Sequence, residues 1–268
     1  MKNIIILGGG SAGWLTALFA QRTFPNKSIT LIESKKIGIL GAGEGSTPQL
    51  KKFFDILGIT ESEWMPACHA TFKNGISFLN WSEHNKTNRY FHPFPSPFDR
   101  QTAAAFLYHC QMRSRGMDVN TNPDDFFLSA KLANLNLSPK PVPGKPQIPL
   151  NYAYHFDSGK LGEFLSKHAV ENGVKHISGK MSSFVKSKDL GLEAIELESG
   201  ERLVADIFID ASGFNSLLLQ GALNVPFEDF ECNLFNNRAV AIPSARQKQI
   251  ASETKANALS AGWSWQIP

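Results

Sequence analysis

Apolar residues along this chain fall into short unbroken runs and into stripes of helical period, and the two patterns predict different elements. Asn3 to Leu7, "NIIIL", and Ser28 to Ser34, "SITLIES", are short apolar runs rich in β-branched residues, which read as fully buried strands. "SAGWLTALFAQRTF" between them reads as a helix, with Gly8 to Gly10 as the tight turn before it. The first 34 residues therefore make a βαβ unit. Thr47 and Pro48 supply an N-cap and first-turn proline for a helix that buries Leu50, Phe53, Phe54 and Leu57 and ends at Gly58. "ISFLNW", Ile76 to Trp81, reads as a strand. A second amphipathic helix is capped by Asp157 or Ser158 and buries Leu161, Phe164, Leu165 and Ala169. "LEAIELESGERLVADIFID" reads as a hairpin turned at Ser199 and Gly200, its second strand running into "DASG", Asp210 to Gly213. Five prolines between Ser138 and Pro149 mark a surface connection or cover segment. In "GWSWQIP", Gly262 to Pro268, alternation sets Trp263 and Trp265 on one side of an extended segment, and spacing alone favours an edge strand closed by proline.

Composition narrows the class. A content of 42% hydrophobic and 19% charged residues fits a soluble globular protein, and 268 residues are enough for a large core. A net charge of +3 is too small and too evenly spread to indicate a nucleic-acid partner. The three cysteines, Cys68, Cys110 and Cys232, form neither a disulfide framework nor a zinc pattern, so a reducing, cytoplasmic setting is expected and no metal site. Asn3 to Ala20 carries no charge and resembles a signal peptide or membrane span, but Gly8, Gly9, Gly10 and Gly13 interrupt it where a spanning helix would be continuous. No membrane partner is expected.

Those glycines have a chemical use. Gly8, Gly10 and Gly13 form G-x-G-x-x-G between a predicted strand and a predicted helix, and Glu33 ends the second strand twenty residues beyond Gly13. Gly8 permits the turn, Gly10 lets backbone N–H groups approach a pyrophosphate, and Gly13 lets the helix pack closely on the strand. Glu33 would accept a hydrogen bond from a ribose hydroxyl, and its charge favours FAD or NAD over NADP. "ADIFIDASG" resembles the later segment of FAD-dependent hydroxylases in which a strand ending in an acidic residue returns to the flavin, so FAD is favoured. The fold class expected is α/β, a FAD-binding Rossmann-like βαβ core of the hydroxylase and glutathione-reductase type, with additional strands and helices. Its Rossmann elements are expected at about 1–34 and 155–225, and a substrate-side segment at about 60–150.

Further motifs then carry a family resemblance. "GGGSAGW" (8–14), "GAGEGSTP" (41–48), "FFDILGITESEWM" (53–65), "TFKNGISFLNW" (71–81), "YHFD", "ADIFIDASG" and "WSWQIP" together resemble the flavin-dependent tryptophan halogenases, nearly from end to end. The resemblance implies that a separate flavin reductase supplies reduced FAD, that chloride or bromide is oxidised to hypohalous acid, and that a lysine delivers the halogen to an electron-rich ring. That lysine position falls on Lys73. An amine can polarise hypohalous acid or hold the halogen covalently, which arginine cannot do. By the same resemblance His92 and Phe94 line the pocket of an aromatic small-molecule substrate such as an indole. Gly8, Gly10, Ser11, Ala12, Gly13, Trp14, Glu33, Glu44 and Asp210 hold the cofactor. Trp263, Trp265, Ile267 and Pro268 lie beside the flavin and restrict its access to organic substrate.

This chain also departs from the family pattern. Gly45 stands where the family has alanine, Ser46 where it has threonine, and Ser77 where several members have a second lysine, which suggests a subgroup acting on free indole or another arene. Members run to about twice this length, and their later half carries an assisting glutamate and a halide-binding Ser-Thr-Gly segment. This chain is accordingly expected to be a truncated form and inactive by itself. A flavin monooxygenase or oxidase, and a non-catalytic FAD-binding remnant, are the alternatives, and a homodimer is left open.

Overall fold

The computed structural model describes residues 2–34, 44–82, 88–187, 191–245 and 247–268. In chain order its elements begin β1 (Asn3–Leu7), α1 (Ser11–Thr23), β2 (Ser28–Glu33), β3 (Glu44–Gly45), α2 (Gln49–Leu57), α3 (Glu61–Ala67), β4 (Thr71–Lys73), β5 (Gly75–Leu79) and β6 (Arg89–Pro93). There follow α4 (Arg100–Ser114), α5 (Leu128–Asn134), β7 (Ala153–Phe156), α6 (Ser158–Glu171), β8 (Lys175–Ser178), β9 (Met181–Lys186), β10 (Leu192–Leu197), β11 (Arg202–Val204), β12 (Ile207–Asp210), β13 (Thr254–Leu259) and β14 (Gly262–Gln266). They make two compact units, Met1–Gly41 with Asp157–Asn237, and Ala42–Phe156 with Arg238–Pro268.

The first unit is built on a parallel sheet of order β12-β1-β2-β8. Its central strands are covered on both faces, which is why they read as continuous apolar runs with no polar alternation. Helices α1 and α6 pack on each other; Ala17 and Leu18 of α1 and Leu161, Gly162, Leu165 and Ala169 of α6 are among their buried residues. The antiparallel strands β9, β10 and β11 add a second layer, where Ile195 and Leu197 pack on Ile5, Leu7 and Ile32. Helix α6 starts as expected: the Asp157 carboxylate accepts the Lys160 N–H at 2.9 Å.

One expectation needs correcting. The apolar run after the Gly200 turn is two strands, β11 and β12, not one. The chain breaks at Asp206, whose carboxylate accepts the backbone N–H groups of Lys2 and Asn3, and β12 then joins β1 in parallel instead of continuing the hairpin. Those two amide hydrogen bonds, chiefly the one from Asn3, also hold the Asp206 carboxyl below its ordinary value.

The second unit carries two sheets. One is antiparallel, β3-β7-β4, and the other is mixed, β14-β13-β5-β6, with β13 parallel to β5. Helix α2 begins one residue later than the Thr47–Pro48 signal implies, with Pro48 in the cap position, and it ends at left-handed Gly58 as the sequence suggests. Of its apolar stripe only Phe54 is fully buried, stacked on Trp64 of α3 with ring centres 4.5 Å apart. Trp64 in turn meets Tyr154 of β7 edge-on at 4.8 Å, an arrangement that complements the ring quadrupoles. Across the second strand pair, Phe91, Phe127, Ala130 and Ala133 form a separate small core. The proline-rich stretch has neither helix nor strand and is exposed over most of its length. It is anchored by Lys140, whose ammonium lies 2.8 Å from Glu61. Among the described residues no helix is long and apolar enough to cross a membrane.

Candidate active site

The glycine-rich loop of the first unit has the shape that a dinucleotide phosphate requires. Gly8 has φ +121°, and a side chain there would collide with the backbone carbonyl of Ala211. A Cβ on Gly13 would lie 1.9 Å from the Gly8 carbonyl oxygen, so α1 can start this close to β1 only with glycine at that position. A Cβ on Gly9 would fall on the Glu33 carboxylate. At Gly10 the situation is reversed: no atom lies within 4 Å of the Cβ position, so the space above the start of α1 is open. Gly10 also caps α1 without a side chain, leaving the amides of Ser11, Ala12 and Gly13 for an outside acceptor. An open cradle over a helix start, with a carboxylate at the end of the second strand, fits the pyrophosphate and ribose of FAD.

Two details of this site were not legible in the sequence. Glu33 lies 2.9 Å from Nε2 of His176, out of line for an N–H hydrogen bond, and His176 meets the buried Trp14 edge-on at 5.1 Å. Trp14 thus faces the core. Asp210, at the end of β12, accepts hydrogen bonds from the Leu218 and Leu219 amides and from Ser212. Burial acts to raise its carboxyl, but the Ser212 hydroxyl and these amides win and hold it below the ordinary value.

In the second unit the centre is Lys73, the last residue of β4, which is only 2% exposed. Burial alone pushes its ammonium down to about 8. Asn74 locks its backbone: the Asn74 N–H donates to the Ser252 carbonyl at 2.7 Å, and its side chain donates to Leu137 and Ser252. Nζ lies 5.9 Å from the centre of the Phe94 ring, which itself meets His92 edge-on at 6.3 Å. The residues read as lysine and substrate pocket are therefore neighbours. On the neighbouring strand β7, His155 is 1% exposed and contacts the Thr254 hydroxyl through Nε2 at 2.8 Å. Burial first, and the Lys73 charge second, push its imidazole down to about 3, so the ring is neutral at any working pH.

Strand register ties the tryptophan pair to the same unit. Trp265, Ala256, Phe78 and Tyr90 stand opposite one another across β14, β13, β5 and β6. One row away on that face stand Thr254, Ile76 and His92. Trp263 and Trp265 are half exposed with ring centres 6.1 Å apart, and Trp81 reaches Trp263 at 6.2 Å. Strand β14 is an edge strand, as spacing alone suggests, and its indoles share one aromatic face with His92. Ile267 and Pro268 follow it directly. Ser77 is on the opposite face, fully buried, its hydroxyl donating to Glu253. Glu44 starts β3 and is raised by burial, while Gly41 to Gly43 of its motif lie outside the described residues.

The pattern that describes the tryptophan halogenases as a family matches residues 3–268. This chain belongs to the tryptophan halogenase family. It is 34% identical to the 7-chloro-L-tryptophan 6-halogenase KtzR of a Kutzneria species, over 99% of this chain and 55% of that protein. The crystal structure of a tryptophan halogenase from Shewanella frigidimarina superposes with a TM-score of 0.85 at 32% identity, covering all of this chain and 53% of that one. A flavin-dependent halogenase from Xanthomonas campestris, Xcc4156, superposes with a TM-score of 0.79 at 31% identity, again over all of this chain and 53% of that one. The chain thus spans about half the length of the curated relatives it matches. The α/β fold with a Rossmann-like core expected from the βαβ unit is the fold of these halogenases.

Motif reading reached Lys73, Phe94 and the glycine loop but missed Asn74, His155, Thr254 and His176. His155 sits inside the quoted "YHFD", so a signal existed without a role. Thr254 lies in "ASETKANAL", which has neither a motif nor a clean strand period, and only the parallel pairing of β13 with β5 brings it to the site.

Proposed function

We propose that this protein is a FAD-dependent halogenase of electron-rich aromatic molecules, an indole or a related arene, with Lys73 as its catalytic residue. The observation that carries the reading is the state of that lysine: buried, lowered to about 8 by desolvation, and set beside Phe94, in a chain that matches the family over residues 3–268. An amine lowered to about 8 is roughly one-tenth uncharged at neutral pH, against well under a thousandth for an ordinary lysine. The uncharged amine can take up electrophilic halogen, and the charged one can donate a hydrogen bond to hypohalous acid. His92 and Phe94 offer a flat substrate an edge and a face, and the half-exposed Trp263 and Trp265 shape the space beside them.

FAD supplies the oxygen chemistry when bound, and the residues that would hold it are Gly8, Gly10, Ser11, Ala12, Gly13, Glu33 and Asp210. Reduced flavin would come from a separate reductase, and chloride or bromide serves as co-substrate.

The test supplies purified protein with FAD, a flavin reductase, NADH, bromide or chloride, and indole, and follows products by mass. Halogenated indole that disappears in Lys73→Ala, with flavin binding unchanged in a titration, supports the reading and overturns the expectation that the chain is inactive by itself. Oxygenated indole in halide-free buffer would make the protein a monooxygenase instead. Flavin binding without any product would leave a binding protein.

A further inference from the structure

Three side chains meet at Gly45, and none of them was assigned together with it. A Cβ on Gly45 would lie 3.0 Å from Lys73 Nζ, and 3.4 Å from both the Thr254 hydroxyl oxygen and His155 Cδ2. Because glycine is there, the amine can rest against the backbone of β3 beside the Thr254 hydroxyl; a methyl would push it away. Thr254 is fully buried and its hydroxyl is held by His155 Nε2 at 2.8 Å.

His155 itself is costly to keep. Among the described residues its buried Nδ1 has no hydrogen-bond partner, and neither has the hydroxyl of Thr71, directly opposite His155 in the β4–β7 register. A buried imidazole with one nitrogen unsatisfied forfeits the hydration of that nitrogen, a loss that an apolar side chain of similar shape would avoid. Packing therefore does not explain a histidine here, whereas orientation of the hydroxyl next to the lysine does.

We infer that Thr254, oriented by His155 and given room by Gly45, is a positioning residue for the Lys73 amine in the transfer of electrophilic halogen. The inference rests on the halogenase reading, since hypohalous acid is the guest it invokes. The neutral ring works in either tautomer. If Nε2–H donates to the hydroxyl oxygen, one lone pair of that oxygen remains for a Lys73 N–H; if Nε2 accepts the hydroxyl proton, both remain. Among the described residues Lys73 makes no hydrogen bond to this oxygen; in the inferred step a Lys73 N–H turns to it, which fixes the amine with its own lone pair pointing away from β3 to the guest. In the step itself that lone pair forms the N–X bond and the O–X bond breaks with its electron pair on oxygen. One amine proton passes to that oxygen and leaves as water, with no net oxidation or reduction. Glu253, the neighbour of Thr254, is turned to the other face and engaged by Ser77 and Arg89.

The test treats the purified chain with limiting hypochlorous acid over a range of pH and follows N-chlorination of Lys73 by peptide mass spectrometry. It needs neither flavin nor substrate, so its failure is separate from failure of the halogenation assay. In the unaltered protein the rate, corrected at each pH for the fraction of hypochlorous acid that is undissociated, should rise to a plateau with a midpoint near pH 8. Thr254→Val should lower the plateau rate about tenfold. It should also move the midpoint down, because the hydroxyl oxygen helps the charged form. Simple loosening that admits water would move the midpoint up instead, towards that of an ordinary lysine. Thr254→Ser keeps the hydroxyl and should restore both values. Gly45→Ala, whose backbone is not left-handed, should reproduce the loss by displacing the nitrogen, and it decides the matter if Thr254→Val does not fold. Lys73 that is not chlorinated in the unaltered protein, or that reacts with unchanged rate and midpoint in the folded variants, overturns the proposal.

Discussion

Replacing Lys73 by methionine should make the protein more stable at neutral pH while removing its proposed activity. The side chains are similar in length, so Lys73→Met keeps the packing on Phe94 and removes only the buried amine. The folded-state value of about 8, against an ordinary 10.5, says that folding disfavours the protonated amine. Below pH 8 the unfolded chain and the native chain are both protonated there, and the native state bears the whole penalty. Between 8 and 10.5 only the unfolded chain holds the proton, so stability rises with pH, and above 10.5 the penalty has gone. The gap between the two values corresponds to about 3 kcal/mol, of which attraction between the ammonium and the Phe94 ring at 5.9 Å offsets about 0.5–1 kcal/mol. Urea unfolding of both proteins at pH 7 and pH 10.5 measures it. The variant should be about 2–3 kcal/mol more stable at pH 7, and that advantage should shrink by most of its size at pH 10.5. A stability difference that is the same at both pH values would refute the claim that Lys73 is a desolvated amine in the native state.

The remaining predictions concern the cofactor unit and the tyrosine cluster. Gly13→Ala, which puts a methyl 1.9 Å from the Gly8 carbonyl, should cost more than about 2 kcal/mol and abolish flavin binding, as seen by thermal melts and by titration with FAD. Gly10→Ala meets no atom within 4 Å, so its melting behaviour should stay within about 1 kcal/mol of the parent while FAD binds at least about tenfold more weakly. Asp210→Asn weakens the hydrogen bonds that the Leu218 and Leu219 amides donate to a charged carboxylate and should cost about 2 kcal/mol in urea unfolding. Tyr154→Phe removes one of two phenol donors to Glu61; burial acts to raise that carboxyl, while Lys140, Tyr152 and Tyr154 together hold it below its ordinary value. Its titration, followed by NMR, should move up in the variant, and stability near neutral pH should fall by about 1–2 kcal/mol.

What was legible in the sequence is what depends on neighbours along the chain. The β1–α1–β2 unit could be read because its apolar runs, its glycines and Glu33 all lie within 34 residues and each obeys a local rule. The caps at Asp157 and Gly58 are local too. The separation of β11 from β12 is not, because it depends on Asp206 finding the amides of Lys2 and Asn3 at the other end of the chain. Nor was β13, whose sequence "TKANAL" alternates only from Lys255 to Ala258, with alanines as its apolar residues, and which forms by pairing with β5 and β14.

The lysine shows why the site was harder to read than the fold. On spacing alone Lys73 resembles any lysine on a strand edge, and only the motif around it argued otherwise. Burial reverses the local expectation at a whole set of positions at once: Lys73, Asn74, Ser77, His155 and Thr254 are all polar and all at most 2% exposed. Residues of these types seldom leave water unless paired. Ser77 and the Asn74 side-chain N–H groups have found partners that hold the strand and its sheet in place, although Asn74 Oδ1 is itself unpartnered among the described residues. Among the described residues Lys73 has no ion pair to offset its burial, and His155 keeps an unsatisfied nitrogen, so for these two the cost of burial has little structural return. A sequence that breaks its own burial rules in one place, without compensation there, is recording a demand other than folding, and the amine chemistry proposed for Lys73 is the demand that fits.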